Sequence, residues 1–176
     1  MSDPKQLIQS AKRTIEIEHQ AVGALVTRLG EDFVRACRLM LDCRGRVVVA
    51  GMGKSGHIAR KIAATFASTG TPAMYVHPGE ASHGDLGMIT ADDVVLVLSN
   101  SGTTEELVKL LPVLKRKGIP LISMVGNRGT VLAEAAEVVL DASVAEEACP
   151  LGQAPTSSTT VALVLGDALA MAMLEA

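Results

Sequence analysis

Leu96-Val97-Leu98-Ser99-Asn100-Ser101-Gly102-Thr103-Thr104-Glu105-Glu106-Leu107 decides how the rest of the chain reads. The apolar run that begins at Val94 stops at Leu98, where hydroxyl and amide side chains take over. Beyond them Leu107, Leu110, Leu111 and Leu114 recur at three- and four-residue spacing, the period of a helix face. The pattern is that of a buried strand, a tight turn and a helix start. Gly102 allows a backbone conformation or close approach that a side chain would block. A helix start points free N–H groups and the positive end of its dipole at the turn. Ser99, Ser101, Thr103 and Thr104 add hydroxyls there. A compact dianion such as a phosphate monoester fits that environment. A plain helix cap fits it as well, because Thr103-x-x-Glu106 has the capping-box spacing. The turn alone does not separate the two.

Working outward, Arg46–Ala50, Ala73–Val76, Ile119–Val125 and Val138–Leu140 are also short apolar runs bounded by glycine, proline or polar residues, and they read as strands. Helical periodicity covers residues 4–28, with Leu7, Ile8, Ala11, Ile15, Ala21, Val22 and Leu25 as its apolar positions. His19 in that stretch reads as a surface or packing residue. Further helices are expected at about 31–41, 55–68 and 130–136, and from the Thr156–Thr160 hydroxyl run to the terminus. The helix after Thr103 should kink or end near Pro112 and be capped at Gly118 after a basic last turn. Asp167 on the last helix fits a buried cap or an interface equally. Five strands alternating with helices make a three-layer α/β/α sandwich around a parallel sheet. One domain spans residues 1–176, with N-terminal helices at about 4–42 and the α/β core at about 46–176.

Composition agrees. The 176 residues are 48% hydrophobic but only 2% aromatic, so Val, Leu, Ile, Ala and Met must build the core. Sixteen glycines suit close helix–strand packing. The net charge of −3 and the lack of a basic run with interleaved aromatics argue against nucleic acid. Cys37, Cys43 and Cys149 are odd in number and lack metal-ligand spacing, as expected of reduced thiols in the cytoplasm. The polar N-terminus does not read as a signal peptide, and Val161 to Leu174 is too short for a membrane span and contains Asp167.

Gly51-Met52-Gly53-Lys54-Ser55-Gly56, between a strand and a helix, matches the dinucleotide pattern G-x-G-x-x-G. The next strand ends in His77-Pro78-Gly79, with no acidic residue to hold a ribose. A P-loop would need glycine where Val48 stands. What survives is a glycine loop at a helix start, carrying Lys54 and Ser55 and suited to a phosphate. His77-Pro78-Gly79-Glu80-Ala81-Ser82-His83-Gly84-Asp85 is the densest polar cluster. Its spacing matches no standard zinc pattern, which favours a substrate loop over a structural metal site. Parallel sheets bind ligands beyond the carboxyl ends of their strands. The polar loops after the first three strands and Glu147 after the fifth all fall on that edge.

Together, Gly51-Met-Gly-Lys-Ser-Gly-His, Val76-His-Pro-Gly-Glu-Ala-Ser-His-Gly-Asp-Leu-Gly, Ser99-Asn-Ser-Gly and Glu147-Ala-Cys-Pro-Leu-Gly resemble the sugar isomerase (SIS) domain of the D-arabinose 5-phosphate isomerase family. The resemblance runs from about Ile15 to Met173 and implies a flavodoxin-like SIS fold. It implies interconversion of D-ribulose 5-phosphate and D-arabinose 5-phosphate on the way to the lipopolysaccharide sugar Kdo. By resemblance, Ser55, Ser99, Ser101 and Thr104 hold the phosphate, and Gly70, Thr71 and His83 line the sugar. Lys54, Glu106 and Glu147 match residues that the family associates with catalysis, and His77 matches a position that can hold an inhibitory zinc. The family is usually oligomeric, with sites completed by a neighbouring subunit, and a tetramer is expected. Fuller members continue into a His-Pro-Gly-Gly segment and a pair of cystathionine-β-synthase-type (CBS) modules. The sequence to Ala176 carries neither, so the expectation is an SIS domain without that regulatory pair.

Such an isomerisation removes a weakly acidic C–H beside a carbonyl and passes through an enediol. One base carries a proton between two carbons, and a raised carboxylate pKa suits that task. Glu106 and Glu147 both qualify, and their roles can be exchanged. Lys54 can stabilise the enediolate charge, and His83 can move a proton between oxygens or bind a hydroxyl. The reaction is internally balanced, so no cofactor is expected. The alternative is a non-catalytic sugar-phosphate sensor using the same pocket; a nicotinamide dehydrogenase rests on G-x-G-x-x-G alone.

Overall fold

The computed structural model describes residues 3–81 and 84–176. Five parallel strands form the sheet: β1 (Val47–Gly51), β2 (Ala73–Val76), β3 (Val94–Ser99), β4 (Leu121–Val125) and β5 (Val138–Asp141). Their order is β2-β1-β3-β4-β5, with Val47 opposite both Ala73 and Val94. The order reverses between β1 and β3, so a crevice opens there at the carboxyl edge. β1, β3 and β4 are buried along their whole length, which is why they read as continuous apolar runs.

Side chains alternate between the two faces of the sheet. Val47, Val49, Leu96, Leu98, Ile122 and Met124 join one core. It is closed by α2 (Glu31–Leu41), α3 (Gly53–Ser68) and α8 (Ser157–Leu174), with α1 (Pro4–Gly23) lying on α8. Val48, Val95, Val97, Leu121 and Val125 face the second core. Its cover is lighter: α4 (Pro78–Ala81), α5 (Glu105–Val108), α6 (Leu111–Lys117) and α7 (Val131–Glu134). α8 is long and apolar enough to cross a membrane, but it packs against α1 and α3.

Several elements depart from expectation for identifiable reasons. The first helix ends at Gly23, and Ala24–Arg28 tightens into a 3-10 turn. α3 starts at Gly53, two residues before the expected start at Ser55. The helix after Thr103 splits into α5 and α6, with Pro112 in the first turn of α6, where its missing N–H costs nothing. β4 starts at Leu121, because Pro120 has no N–H to donate to a ladder. The loop expected after His77 contains the single turn α4. Asp167 is not buried: it ion-pairs with Lys61 of α3, and both side chains are more than 40% exposed. Leu7, Ile8 and Ile15, expected as an apolar helix face, are 60%, 58% and 69% exposed, and no residue of α1 is buried.

Candidate active site

β3 delivers Ser99 buried at the carboxyl edge. Its Oγ accepts from the Gly102 N–H at 3.0 Å and lies 2.7 Å from Thr104 Oγ1 and 3.5 Å from Ser101 Oγ. Ser101 Oγ accepts from the Thr103 N–H at 3.3 Å. Three hydroxyls are thereby gathered around one turn. Gly102 has φ +67°, and a Cβ there would run into the Thr130 side chain. The capping box does not form. Thr104, not Thr103, is the N-cap residue of α5, and it makes no side-chain capping bond. α5 has only four residues, so it brings little of the macrodipole expected at this turn.

The stronger dipole comes from α3, a 16-residue helix whose N-terminus lies at Gly53. Its N-cap residue, Met52, makes no side-chain capping bond. Lys54 in its first turn is exposed and Ser55 half-buried. Gly51 and Gly56 of the G-x-G-x-x-G pattern serve packing rather than a dinucleotide: a Cβ on Gly56 would stand 2.6 Å from the Gly51 carbonyl oxygen. Tyr75 of β2 donates its hydroxyl to that same oxygen at 3.1 Å, fixing the turn that carries Lys54 and Ser55. Ser55, Ser99, Asn100 and Gly126 share a small cavity with Ser158 of α8, so the first-strand loop, the third-strand turn and the start of α8 meet.

Glu147 reaches this meeting point from the connection between β5 and α8. Its Oε2 accepts from the Thr156 N–H at 2.7 Å, the Thr156 hydroxyl at 2.9 Å and the Ser158 N–H at 3.3 Å. The loop carboxylate therefore caps α8, while the Thr156 side chain makes no cap of its own. Burial pushes the Glu147 carboxyl up, and the Ser158 and Thr156 donors outweigh that push and hold it below the ordinary glutamate range. All three of these bonds go to Oε2. The hydroxyl run 156–160 was the signal for this anchor, but it reads equally well as a simple helix opening.

Glu106 is half-buried in the first turn of α5 and has neither an ion pair nor a hydrogen bond among the described residues. Its neighbour Glu105 pairs with Lys109 at 2.7 Å. His77 follows β2, and its Nδ1 accepts from the Gly79 N–H at 3.2 Å, leaving Nε2 as the one ring nitrogen for a metal. No group of three or more His, Cys, Asp or Glu side chains able to hold a metal occurs among the described residues. His83, expected at the sugar, lies outside the described residues. Gly70 and Thr71 do not join the site. They precede β2, where the Pro72 carbonyl accepts from Val47 at the start of β1, and so they sit at the amino edge of the sheet. A cavity of about 580 Å³ also lies elsewhere, lined by residues such as Leu111, Ile119 and Glu137.

The glycine turn of α3, the hydroxyl turn after β3 and the Glu147 cap of α8 on a β2-β1-β3-β4-β5 sheet belong to a recognisable class. The SIS domain family model matches residues 40–172, and the chain belongs to the SIS domain family. It is 68% identical over all 176 residues to the arabinose 5-phosphate isomerase KdsD of Pseudomonas aeruginosa, covering 54% of that protein. It is 58% identical over 168 residues to KdsD of Yersinia pestis, covering 96% of this chain and 51% of that one. The chain thus spans about half the length of these curated relatives. The structure of c3406 from E. coli CFT073 in complex with arabinose 5-phosphate superposes with a TM-score of 0.95 at 45% identity, covering 99% of this chain and 93% of that one.

Proposed function

We propose that this chain is a sugar-phosphate isomerase that interconverts D-ribulose 5-phosphate and D-arabinose 5-phosphate, feeding Kdo and lipopolysaccharide synthesis in the cytoplasm. The observation that carries this reading is 68% identity, over the whole chain, to a protein named as that isomerase. The site geometry supports it. The hydroxyls of Ser99, Ser101 and Thr104, with Ser55 and the free N–H groups of α3, hold the 5-phosphate. This remote binding places C1 and C2 of the open-chain sugar against the carboxylates.

Glu106, half-buried in the first turn of α5, takes a proton from C1 of ribulose 5-phosphate. The C1–H electron pair becomes the C1–C2 double bond, the C2–O2 π pair moves to O2, and O2 takes a proton to complete the enediol. O1–H then gives up a proton, balancing the one taken by O2; its electron pair forms the aldehyde at C1, and the C1–C2 pair takes the proton back from Glu106 at C2. Lys54 stabilises the negative charge on the enediolate oxygens. Glu147, ionised and fixed by α8, orients the sugar hydroxyls through Oε1. His83 is assigned to the sugar by resemblance alone. Gly70 and Thr71, at the opposite edge, can line a sugar only in the site of a second copy. That fits an oligomer, as does the exposed apolar stripe of Leu7, Ile8 and Ile15 on α1.

Proton NMR should detect arabinose 5-phosphate formed from ribulose 5-phosphate. A Ser101→Ala, Thr104→Ala double variant should raise KM mainly, because the phosphate grip is common to ground and transition states. Equal affinity for arabinose and its 5-phosphate in calorimetry would remove the phosphate site. Added Zn²⁺ should inhibit through His77, and exhaustive chelation should leave activity intact. Activity lost to a chelator and restored by a divalent ion would reverse the role given to the metal.

A further inference from the structure

The connection between β5 and α8, residues 142–156, has no helix or strand of its own, yet it carries Glu147. A stretch of that kind keeps its shape only through anchors. Some are local: the Ser143 N–H donates to Asp141 Oδ1 at 2.9 Å and the Gly152 N–H to the Cys149 carbonyl at 2.9 Å. The others come from the N-terminal helical segment. Arg28 donates from Nη1 to the Ser143 carbonyl and stands 4.0 Å from the Asp141 carboxylate. Arg13 of α1 donates from Nη2 to the Ala148 carbonyl at 3.1 Å. Thr160, in the first turn of α8, donates to Glu18 of α1 at 3.0 Å.

The middle anchor leads directly to the carboxylate. Ala148 is buried, and its N–H donates to Thr156 Oγ1 at 2.8 Å. The same Thr156 hydroxyl donates to Glu147 Oε2 at 2.9 Å. Arg13 is thus linked to the site by a hydrogen bond to the Ala148 carbonyl, the covalent backbone of Ala148, and two hydrogen bonds from its N–H through Thr156 to Glu147. No α1 side chain is fully buried; Ala21 and Val22 near its end are half-buried against the core, and the helix lies on α8. Arg13 and Glu18 also lie outside residues 40–172, which the family model matches.

We infer that Arg13 is a positioning residue that holds the Glu147 carboxylate in place through the backbone of Ala148, the next residue, with Glu18 and Arg28 tying down the two ends of the same connection. The kinetic part rests on the isomerase reading; the anchoring part does not. Arg13 is otherwise exposed, so its substitution leaves the fold intact.

Arg13→Gln and Arg13→Lys variants of the whole chain test this with two independent readouts. Hydrogen exchange at the Ala148 amide should speed up about tenfold in Arg13→Gln, because the loop residue that carries it is no longer tied to α1 through its carbonyl. The kcat for ribulose 5-phosphate should fall about tenfold with KM within about twofold, since the phosphate grip is untouched and only the placement of the carboxylate is loosened. Arg13→Lys, which can still donate to the carbonyl, should recover most of both. Unchanged exchange in Arg13→Gln overturns the anchor. Faster exchange with parental kcat and KM overturns the service to Glu147. If the parent chain does not isomerise while exchange still rises in Arg13→Gln, the anchor stands and the isomerase reading is what fails.

Discussion

Glu106→Gln is expected to lose at least about a hundredfold in kcat while melting as the parent does. The amide has the size and most of the polarity of the carboxyl, but it cannot take a proton from carbon at a useful rate. A capping Glu106 would make the result ambiguous, because losing a cap costs about 0.5–2 kcal/mol. The structure removes that ambiguity. Thr104 rather than Thr103 is the N-cap of α5, its side chain makes no capping bond, and Glu106 has no hydrogen bond or ion pair among the described residues. The stability change should therefore stay within about 0.5 kcal/mol, as for substitutions away from such features. Affinity for the sugar phosphate should be near normal, because the hydroxyls assigned to the phosphate, those of Ser55, Ser99, Ser101 and Thr104, are all kept. The variant should also fail to exchange the C1 or C2 hydrogen of the substrate with D₂O. Parental turnover together with parental deuterium exchange would move the carbon base to Glu147.

The sheet could be read from the sequence because burial leaves a plain signature. β1, β3 and β4 are covered on both faces, so each is an uninterrupted apolar run ended by a polar turn. Pro112 and Gly118 marked their helix boundaries because both act through local backbone geometry. What required coordinates was interaction between distant segments. Nothing in the sequence links Tyr75 to the Gly51 carbonyl, Thr130 to Gly102 or Arg13 to Ala148. The exposed stripe on α1 has helical periodicity, but periodicity does not say whether the face is covered by the same chain. Gly70 and Thr71 are a different case. In a parallel sheet every connection from a helix to the next strand lies at the amino edge, so their distance from the other candidates follows from the strand assignment already made.

Glu147 carries the second large effect, and there stability and activity change together. Glu147→Ala should cost about 0.5–2 kcal/mol, the range for loss of a helix cap, because the Thr156 N–H, the Thr156 hydroxyl and the Ser158 N–H lose their acceptor. It should also reduce kcat by about tenfold or more, since the carboxylate that orients the sugar is gone. Glu147→Gln separates charge from hydrogen bonding: its amide oxygen can still accept from α8, but the negative charge at the helix N-terminus is lost. The pH dependence then has a definite sign. The folded-state pKa of Glu147 lies below its ordinary value, so folding favours the ionised form. The stability that its charge contributes is fully present above the unfolded pKa, about 4.3, and is lost as pH falls through the lowered folded value. Asp141 is depressed in the same sense: burial pushes it up, but its hydrogen bonds from Ser143 and the charges of Arg28 and Arg128 outweigh that push. Both proteins keep Asp141, so its contribution cancels in their difference. The advantage of the parent over Glu147→Gln in denaturant titrations should therefore hold near neutral pH and shrink as the solution is acidified below the glutamate range. A difference that stays constant from about pH 7 to about pH 3 would mean that α8 does not hold this carboxylate in its ionised form.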